Sequence, residues 1–318
     1  MRAFLALAVC ALILAAGCEK RRKKVIAVIP KGTSHPFWLS VEAGARAAGA
    51  DLGVEVLWNG PATELDYSRQ IQIVDAMIAR RVDGIAVAAA ERKALVQPID
   101  RAVAAGIPVT IFDSGLDSEN YMTFVATDNY EAGRMAGRKL AELVSGQGKL
   151  AMVLHSTGSF STMERERGFE DAIAGEFPKI RIVARQYGMS DRARSRAVAE
   201  NFLAVHPDLD GIFCSTEPSS TGASLALKAR GLAGKVRFVA FDSSDGMIED
   251  LRQGVIHAMV VQDPFRIGYE AVRTIAEKLN GKTPPKRIDL HARLITRQDL
   301  DQPEVRKLLF PDLQKANR

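Results

Sequence analysis

The sequence predicts an α/β protein built from two similar, doubly wound parallel-sheet lobes. Short β-branched apolar runs alternate with amphipathic helical stretches, the connections between them are short, and the same alternation starts again near residue 128. Such an alternation produces parallel sheets with right-handed crossovers. No low-complexity linker separates the two halves. We therefore expect several ordered crossings to join the lobes and to act as a hinge around a cleft.

The first strand–helix unit lies at Val25–Trp38. Val25–Pro30 is apolar and mostly β-branched, which predicts a buried strand, and Pro36 is typical of the first position of a helix. Phe37 and Trp38 follow, at the sheet edge where open α/β folds bind ligands. The two rings can either line a pocket or anchor the helix in the core, because aromatic side chains suit both roles.

The first half continues with the same alternation. The predicted strands are Val54–Leu57, Gly84–Ala90 and Val109–Phe112, and the predicted helices are Tyr67–Arg80 and Glu91–Ala105. Asp113 directly follows the last of these strands. It is therefore expected at the same edge of the sheet as Phe37 and Trp38.

The second half repeats this organisation. Its predicted strands are Lys149–His155, Ile180–Tyr187, Gly211–Cys214 and Val236–Phe241, and its predicted helices are Asn129–Val144, Asp191–His206, Ser219–Arg230 and Gly246–Arg252. Ser161 with Glu164 has the spacing of a capping box, which predicts Arg165 near the first turn of a further helix. Asp242 follows a strand in the same way as Asp113.

The last part of the chain breaks the repetition. Ala258–Gln262 is a predicted strand, and Asp263-Pro264 is typical of a helix cap and first helical position. The helix that follows is predicted to reach Leu279. Two short strands are predicted near Ile288–Ile295.

Residues 1–24 have the pattern of an export segment. Arg2 precedes an apolar run that is too short and too weakly flanked for a membrane-spanning helix. The end of this run, Leu14–Cys18, is similar to a bacterial lipobox, in which the cysteine is acylated. Without acylation the segment is an ordinary cleaved signal. We expect an exported protein, periplasmic or at the cell surface, anchored in the membrane through lipidated Cys18 and followed by a basic tether.

Charge and cysteine content argue against a nucleic-acid-binding protein and against a disulfide-bonded one. Without residues 1–17 the chain has 42 Lys and Arg against 38 Asp and Glu, which is only a weak surplus of positive charge. No nucleic-acid partner is therefore expected. Cys10 belongs to the export segment and Cys18 is the acylation candidate, so Cys214 remains alone. No intrachain disulfide is predicted, and Cys214 is expected to be buried on a strand.

No motif predicts an enzyme. Gly146–Lys149 precedes a strand instead of following one, so it is a turn and not a phosphate-binding loop. The five histidines are scattered without paired spacing, so no metal site is predicted. No serine elbow or pair of carboxylates indicates a hydrolase. We therefore predict no catalytic residues and no cofactor.

Seven short motifs occur in a specific order and spacing, although each is weak alone. They are Val25–Trp38, Val109–Asp113, Ala126–Asn129, Arg165–Phe169, His206–Asp208, Phe241–Asp242 and Gln262. With them the chain resembles the periplasmic solute-binding proteins of the ribose-binding, type I class, the ligand receptors of bacterial sugar ABC transporters. The resemblance implies lobes of residues 25–127 plus 264–292 and 128–263 plus 293–318, with three crossings as the hinge.

The resemblance also implies a ligand pocket. Phe37 and Trp38 stand where the family stacks aromatic rings on a sugar. Asp113 and Asp242 match carboxylates that accept hydrogen bonds from hydroxyl groups, and Arg165 matches a guanidinium that donates to sugar oxygens. Rings, carboxylates and a guanidinium suit a molecule with C–H faces and a belt of hydroxyls.

Other positions follow or depart from the family pattern. Gln262 matches an amide at the hinge, and Thr216 falls where many relatives have Asn. Ser114 replaces an arginine common after the first aspartate, and His35 replaces an asparagine in the first loop, which argues against ribose itself. Lys31 stands where the related autoinducer-2 receptors use a lysine to contact the ligand.

Each assignment has a simpler alternative. Asp113 and Asp242 could instead cap the helices that follow them, which is a common role of Asp between a strand and a helix. Arg165 could be a solvated residue of a first helical turn, although the helix dipole disfavours a cation there. Lys31 and His35 could be solvated loop residues.

The resemblance implies a transport receptor that acts as a monomer. A small polar ligand, such as a sugar or polyol, would close the lobes, and the closed form would dock on the membrane permease of an ABC transporter. The alternative is a sensor that presents its ligand to a chemoreceptor or kinase, which the sequence does not separate from transport. A sugar-responsive repressor would need a helix-turn-helix where residues 1–24 form the export segment.

Overall fold

The computed structural model describes residues 22–311, so Cys18 and all but the last three residues of the export segment lie outside the described residues. Two six-stranded sheets form the centres of two lobes. The strands of the first sheet are β1 (Val25–Ile29), β2 (Glu55–Trp58), β3 (Gly84–Val87), β4 (Val109–Phe112), β5 (Thr123–Thr127) and β11 (Arg287–Leu290). The strands of the second are β6 (Gln147–Leu154), β7 (Lys179–Tyr187), β8 (Gly211–Cys214), β9 (Arg237–Phe241), β10 (Ala258–Val261) and β12 (Arg293–Ile295).

The two sheets have the same strand order. The first is β2-β1-β3-β4-β5-β11 and the second is β7-β6-β8-β9-β10-β12. All pairings are parallel except that of β10 with β12. The predicted α/β class with two similar doubly wound lobes is confirmed. In each sheet the chain order reverses at the strand that begins the lobe, which places a ligand crevice at the carboxyl ends of the strands.

Helices cover both faces of each sheet. In the first lobe these are α1 (Pro36–Leu52), α2 (Tyr67–Ala79), α3 (Val96–Ala104) and α9 (Pro264–Leu279). In the second lobe they are α4 (Asn129–Leu143), α5 (Phe160–Glu176), α6 (Arg192–Val205), α7 (Glu217–Ala229), α8 (Asp245–Arg252) and α10 (Pro303–Leu309). Each sheet has one apolar cluster on each face. Among the helices of residues 22–311, none is long and apolar enough to cross a membrane.

One helix pair in each lobe packs with its backbones in close contact. A Cβ at Gly44 would lie 1.8 Å from the carbonyl oxygen of Phe265, so α1 and α9 can approach only with glycine there. In the second lobe a Cβ at Gly133 would lie 1.9 Å from the carbonyl oxygen of Arg165. The pair α4–α5 therefore repeats the pair α1–α9, and the tight contact fixes the position of the helix that carries Arg165.

The chain passes between the two sheets three times. The passages lie between β5 and α4, between β10 and α9, and between β11 and β12. Three short passages hold the lobes side by side with the carboxyl ends of both sheets facing one cleft. The division of the chain into lobes at single residues remains a prediction.

Several predicted boundaries are wrong. The helix predicted from Glu91 begins at Val96, because the Glu91 carboxylate accepts the backbone N–H groups of Lys93 and Ala94 and forms a separate turn. The strand predicted from Lys149 begins two residues earlier, where Gln147 pairs with the neighbouring strand. Strand β5 and helix α10 were not predicted. The prediction for Cys214 is confirmed, since this residue is fully buried on β8.

Candidate functional site

A small cavity lies between the two lobes at the carboxyl ends of the strands. Its volume is about 30 Å³. It is lined by Lys31, His35, Phe37, Trp38, Glu64, Asp113, His155, Ser161, Thr162, Arg165, Ser190, Thr216, Glu217, Pro218, Asp242 and Gln262. All nine residues that the sequence analysis assigned to a pocket are among them. A groove of about 320 Å³ adjoins the cavity on the side of the C-terminal helix and shares Phe37, Asp242 and Gln262.

Asp113 and Asp242 occupy equivalent positions in the two lobes. Each is the first residue after a strand, and each adopts a left-handed backbone, with φ of 58° and 67°. Each backbone N–H donates to a carbonyl of the adjacent strand, from Asp113 to Val125 at 2.8 Å and from Asp242 to Val260 at 2.9 Å. Aspartate tolerates this conformation better than most residues. The repeated geometry directs both carboxylates into the same cleft.

The Asp113 carboxylate pairs with the ammonium group of Lys31. The distance from Asp113 Oδ2 to Lys31 Nζ is 3.3 Å, and both side chains are only 4% exposed. Burial raises the pKa of Asp113, although Lys31 and Arg165 oppose this shift. Lys31 is therefore not a solvated loop residue. Asp113 also does not cap the helix that follows it, since the next helix, α4, begins only at Asn129 and has Asp128 as its cap residue.

Trp38 belongs to the core and to the cavity wall at once. It is 1% exposed and packs in the apolar cluster under α1 and α9. Its indole Nε1 donates to Glu64 Oε1 at 2.7 Å. Phe37 stands perpendicular to it, with the two ring centroids 5.0 Å apart. The two alternatives for these rings are thus compatible, because one edge of the pair lines the cavity and the other anchors the helix.

Arg165 is buried, with 2% of its surface exposed, and other residues contact its guanidinium group from three sides. Its Nη2 and Nε donate to Asn129 Oδ1 at 2.7 and 3.2 Å, and its Nη1 donates to the carbonyl of Ser215. The guanidinium carbon lies 3.4 Å from the ring centroid of Phe241. Burial lowers the pKa of Arg165, and Asp242 and Asp113 oppose this shift. The alternative of a solvated arginine is wrong.

The predicted capping box of Ser161 and Glu164 is also wrong. Helix α5 begins at Phe160, with Ser159 as its cap residue, and Ser159 forms no side-chain cap bond. Arg165 therefore lies in the second turn and not the first. The Ser161 hydroxyl does not cap the helix but faces the cleft, where it accepts from Lys31 Nζ.

Asp242 joins two other predicted residues. Gln262 Nε2 donates to Asp242 Oδ1 at 2.8 Å, and the backbone N–H of Glu217 donates to Asp242 Oδ2 at 3.3 Å. Asp242 thus satisfies the first turn of α7 and not the helix that follows it in sequence. Thr216 caps α7 in a capping box with Ser219. Burial raises the pKa of Asp242, and Arg165 and the Gln262 bond oppose the shift.

Several contacts cross the cleft between the lobes. Lys31 Nζ lies 3.2 Å from Ser161 Oγ and 3.3 Å from Ser159 Oγ. His35 Nε2 lies 3.2 Å from Ser190 Oγ. These direct contacts indicate a closed arrangement of the lobes. Neither Lys31 nor His35 has the solvated environment of an ordinary loop residue.

Sequence reasoning missed Glu64, His155 and Glu217. His155 follows β6 as Asp113 follows β4, and this position at a strand end was the available signal. His155 Nε2 lies 3.3 Å from Glu64 Oε2 across the cleft. Burial lowers the pKa of His155 to about 4, so the ring is neutral at pH 7. Burial raises the pKa of Glu64, but His155, Lys31, His35 and the Trp38 bond together outweigh burial and lower it.

A further buried acid lies directly behind the cavity wall. Glu166 Oε1 accepts the backbone N–H of His155 at 2.9 Å and the hydroxyl of Ser215 at 2.7 Å. Burial raises the pKa of Glu166 to about 7. This carboxyl group ties the ends of β6 and β8 together and thereby supports the cavity wall. Within residues 22–311, no three His, Cys, Asp or Glu side chains are grouped so that they could hold a metal ion.

Comparison with known proteins gives a consistent result. The profile of a family described as a periplasmic binding protein domain matches residues 26–283. A D-ribose/D-allose-binding protein of Pseudomonas aeruginosa is 30% identical over 274 residues, which cover 84% of this chain and 85% of the relative.

Two solved structures show the same architecture. A carbohydrate transporter solute-binding protein from Agrobacterium radiobacter, in complex with D-arabinose, matches with a TM-score of 0.89 and 30% identity, over 92% of this chain and 100% of that one. An ABC transporter solute-binding protein from Agrobacterium vitis, with bound D-fucose, matches with a TM-score of 0.87 and 34% identity, over 90% of this chain and 100% of that one.

Proposed function

This chain belongs to the periplasmic binding protein family, and from that premise we propose that it is the substrate-binding lipoprotein of an ABC importer. It captures a sugar, polyol or similar small polar ligand and delivers it to a membrane permease. The observation that carries the proposal is the cleft between the lobes, where Asp113 and Asp242 converge from equivalent positions. The relatives described above, named for D-ribose and D-allose or solved with D-arabinose and D-fucose, support a sugar-like ligand.

The binding residues have complementary chemistry for such a ligand. Phe37 and Trp38 offer ring faces and edges to C–H groups. Asp113 and Asp242 accept hydrogen bonds from hydroxyl groups, and Arg165 donates to ring or hydroxyl oxygens. A desolvated site of this kind discriminates strongly against an analogue that lacks one hydroxyl, because the site's buried polar partner then loses its hydrogen bond.

Four further residues complete the proposed site. Gln262 and Thr216 contribute polar groups from the second lobe, and Lys31 and His35 contribute them from the first. Both lobes thus hold the ligand. A cavity of about 30 Å³ accommodates little more than water, so entry of a monosaccharide requires the lobes to separate at the three passages of the chain. Lobes of residues 25–127 plus 264–292 and 128–263 plus 293–318 move as the two bodies in this proposal.

The location and partners follow from the same reasoning. Membership of a periplasmic binding protein family supports export. Acylation of Cys18 would tether the chain to a membrane near its permease, and the protein would work there as a monomer. Metabolic labelling with a palmitate analogue tests this point. We expect label on the wild-type protein and none on Cys18→Ala, and equal labelling of both would refute the anchor.

A binding screen tests the function itself. We expect a monosaccharide or polyol to raise the melting temperature of the mature chain, and Asp242→Asn to remove most of this effect. Asp242→Asn preserves the left-handed backbone, because asparagine tolerates it as well. Asp75→Asn, an exposed carboxylate on α2, is the matched control and should leave the effect unchanged. If no small polar molecule stabilised the protein, the proposed function would be wrong.

A transport assay then addresses the permease. Deletion of the gene should abolish uptake of the labelled ligand, and expression of the wild-type chain should restore it. Normal uptake in the deletion strain would contradict delivery to an importer, even if the purified protein binds the ligand.

A further inference from the structure

The charges that line the cavity do not balance. Four carboxylates face it, from Glu64, Asp113, Glu217 and Asp242. Two permanent cations face it, Lys31 and Arg165. The lining therefore has a formal charge of −2 when both histidines are counted as neutral. Charges that are withdrawn from water are costly unless they are paired, so the imbalance needs an explanation.

Three of the carboxylates have partners inside the protein. Asp113 has the ammonium group of Lys31 at 3.3 Å. Glu64 accepts the indole N–H of Trp38 at 2.7 Å. Asp242 accepts from the Gln262 amide and from a backbone N–H. Of the four carboxylates, only Glu217 has a fully buried oxygen atom without a hydrogen-bond donor from residues 22–311.

Glu217 is only half satisfied. Its Oε1 accepts from Arg192 at 2.8 Å and from Thr221 at 2.9 Å. Its Oε2 is buried and accepts no hydrogen bond from any residue in the described range 22–311. His35 Nδ1 is 4.0 Å from Oε2, beyond hydrogen-bond distance. Arg192 offsets the charge only from the outside, because its side chain is 48% exposed and screened by water.

Gln262 presents a second open acceptor on the same cavity. Its Nε2 donates to Asp242, which turns the amide carbonyl Oε1 away from that bond. This Oε1 is likewise buried and without a donor from residues 22–311. The residue is 3% exposed and Glu217 is 2% exposed. Two acceptor atoms on residues that line one cavity, both without donors from residues 22–311, indicate a ligand that donates hydrogen bonds to this wall.

We propose that the ligand carries a protonated amino group, as in an amino sugar or an aminated polyol, and that Glu217 binds this ammonium with help from Gln262. This inference rests on the proposed function and names its substrate class. An ammonium group has three donors and one positive charge. It satisfies the open acceptors and offsets part of the negative lining at once. A hydroxyl group can donate a hydrogen bond but leaves the charge in place.

The site already shows how it accommodates one ammonium group. Lys31 Nζ lies between Asp113 and the hydroxyls of Ser159 and Ser161, and it is 5.9 Å from the ring centroid of Trp38. An ammonium near an aromatic face gains cation–π attraction in a desolvated site. On the wall of the second lobe, Glu217 offers a carboxylate oxygen and Gln262 a carbonyl oxygen as acceptors for a second ammonium group. The same charges repel uronic acids and sugar phosphates.

Isothermal titration calorimetry with paired ligands tests the inference. The pairs are glucosamine with glucose, galactosamine with galactose, and glucamine with sorbitol, and the N-acetylated amines serve as neutral forms of the same size range. We expect at least one amine to bind at least about tenfold more tightly than its neutral parent, since an opposite-charge contact in a desolvated site is worth at least this factor. The preference should disappear in Glu217→Gln and persist in Glu249→Gln, an exposed carboxylate on α8.

The outcomes separate this inference from the proposed function. Neutral parents that bind as tightly as the amines, or a preference that survives in Glu217→Gln, would overturn the amine assignment and leave a sugar receptor in place. Failure of both amines and neutral sugars to bind would overturn both. The comparison within the wild-type chain does not depend on whether Glu217→Gln folds.

Discussion

Replacing Asp113 by Asn removes one buried charge and changes little else. Asparagine has the same size and tolerates the left-handed backbone at this position, where φ is 58°. The backbone N–H still donates to Val125. The change leaves the Lys31 ammonium, now 3.3 Å from Asp113 Oδ2, without its carboxylate.

The magnitude follows from the surroundings of Lys31. Removing one partner of a buried ion pair costs about 3–5 kcal/mol. Two hydroxyls, of Ser159 and Ser161, still accept from Lys31, so we use the lower end, about 3 kcal/mol. Both serines belong to the opposite lobe. Lys31 is therefore enclosed only when the lobes close, and in an open form water can solvate it.

The loss of the Asp113–Lys31 ion pair therefore destabilises the closed form of the protein and leaves the stability of the open form almost unchanged. We expect Asp113→Asn to raise the Kd of the ligand by about 100-fold, which corresponds to about 3 kcal/mol. The melting temperature without ligand should stay within a few degrees of that of the wild type. Calorimetric titration measures the Kd, and Asp75→Asn serves as the exposed control.

A double-mutant cycle with Lys31→Met isolates the pair. Removing both charges should cost less than the sum of the two single changes, with a coupling energy of at least about 1 kcal/mol. Additive effects would show that the ion pair does not control closure. An unchanged Kd, or a large loss of stability without ligand, would also refute the reasoning.

Three other predictions concern the supports of the site. Burial raises the pKa of Glu166 to about 7, so the contribution of this residue to the free energy of unfolding falls as pH rises from about 4.5 to 7. His155 has the opposite effect: burial lowers its pKa to about 4, so its contribution rises between about pH 4 and 6.5. In urea titrations Glu166→Gln should therefore gain up to about 3 kcal/mol over the wild type between pH 4.5 and 7.5, and a pH-independent difference would contradict this. Gly133→Ala should lower the melting temperature by several degrees and weaken ligand binding. The added Cβ would lie 1.9 Å from the Arg165 carbonyl oxygen and would displace α5. Unchanged affinity would contradict the role of this contact. Burial raises the pKa of the Cys214 thiol well above its usual range, so a thiol reagent should label it only in denaturant, and labelling of the native protein would contradict its burial.

The sequence determined the class of the fold and which strand-end residues lie at the ligand-binding edge of each sheet. Periodicity alone distinguishes buried parallel strands from amphipathic helices, and the position of a residue just after a strand places it at the ligand-binding edge. This rule found Asp113 and Asp242. Applied to β6 it would also have found His155. Local signals were weaker at helix starts, where the Glu91 turn and the unused Ser161–Glu164 spacing misled the prediction.

Tertiary structure decided which of these residues meet and what state they adopt. Sequence spacing contains no information on the pairing of Lys31 with Asp113, because the two side chains come from different loops of one sheet edge. Nor does it show that Glu217 ends with one carboxylate oxygen satisfied and the other open. Charge balance, pKa and the choice of ligand depend on distances and burial across the cleft, and these exist only after the two lobes have folded and come together.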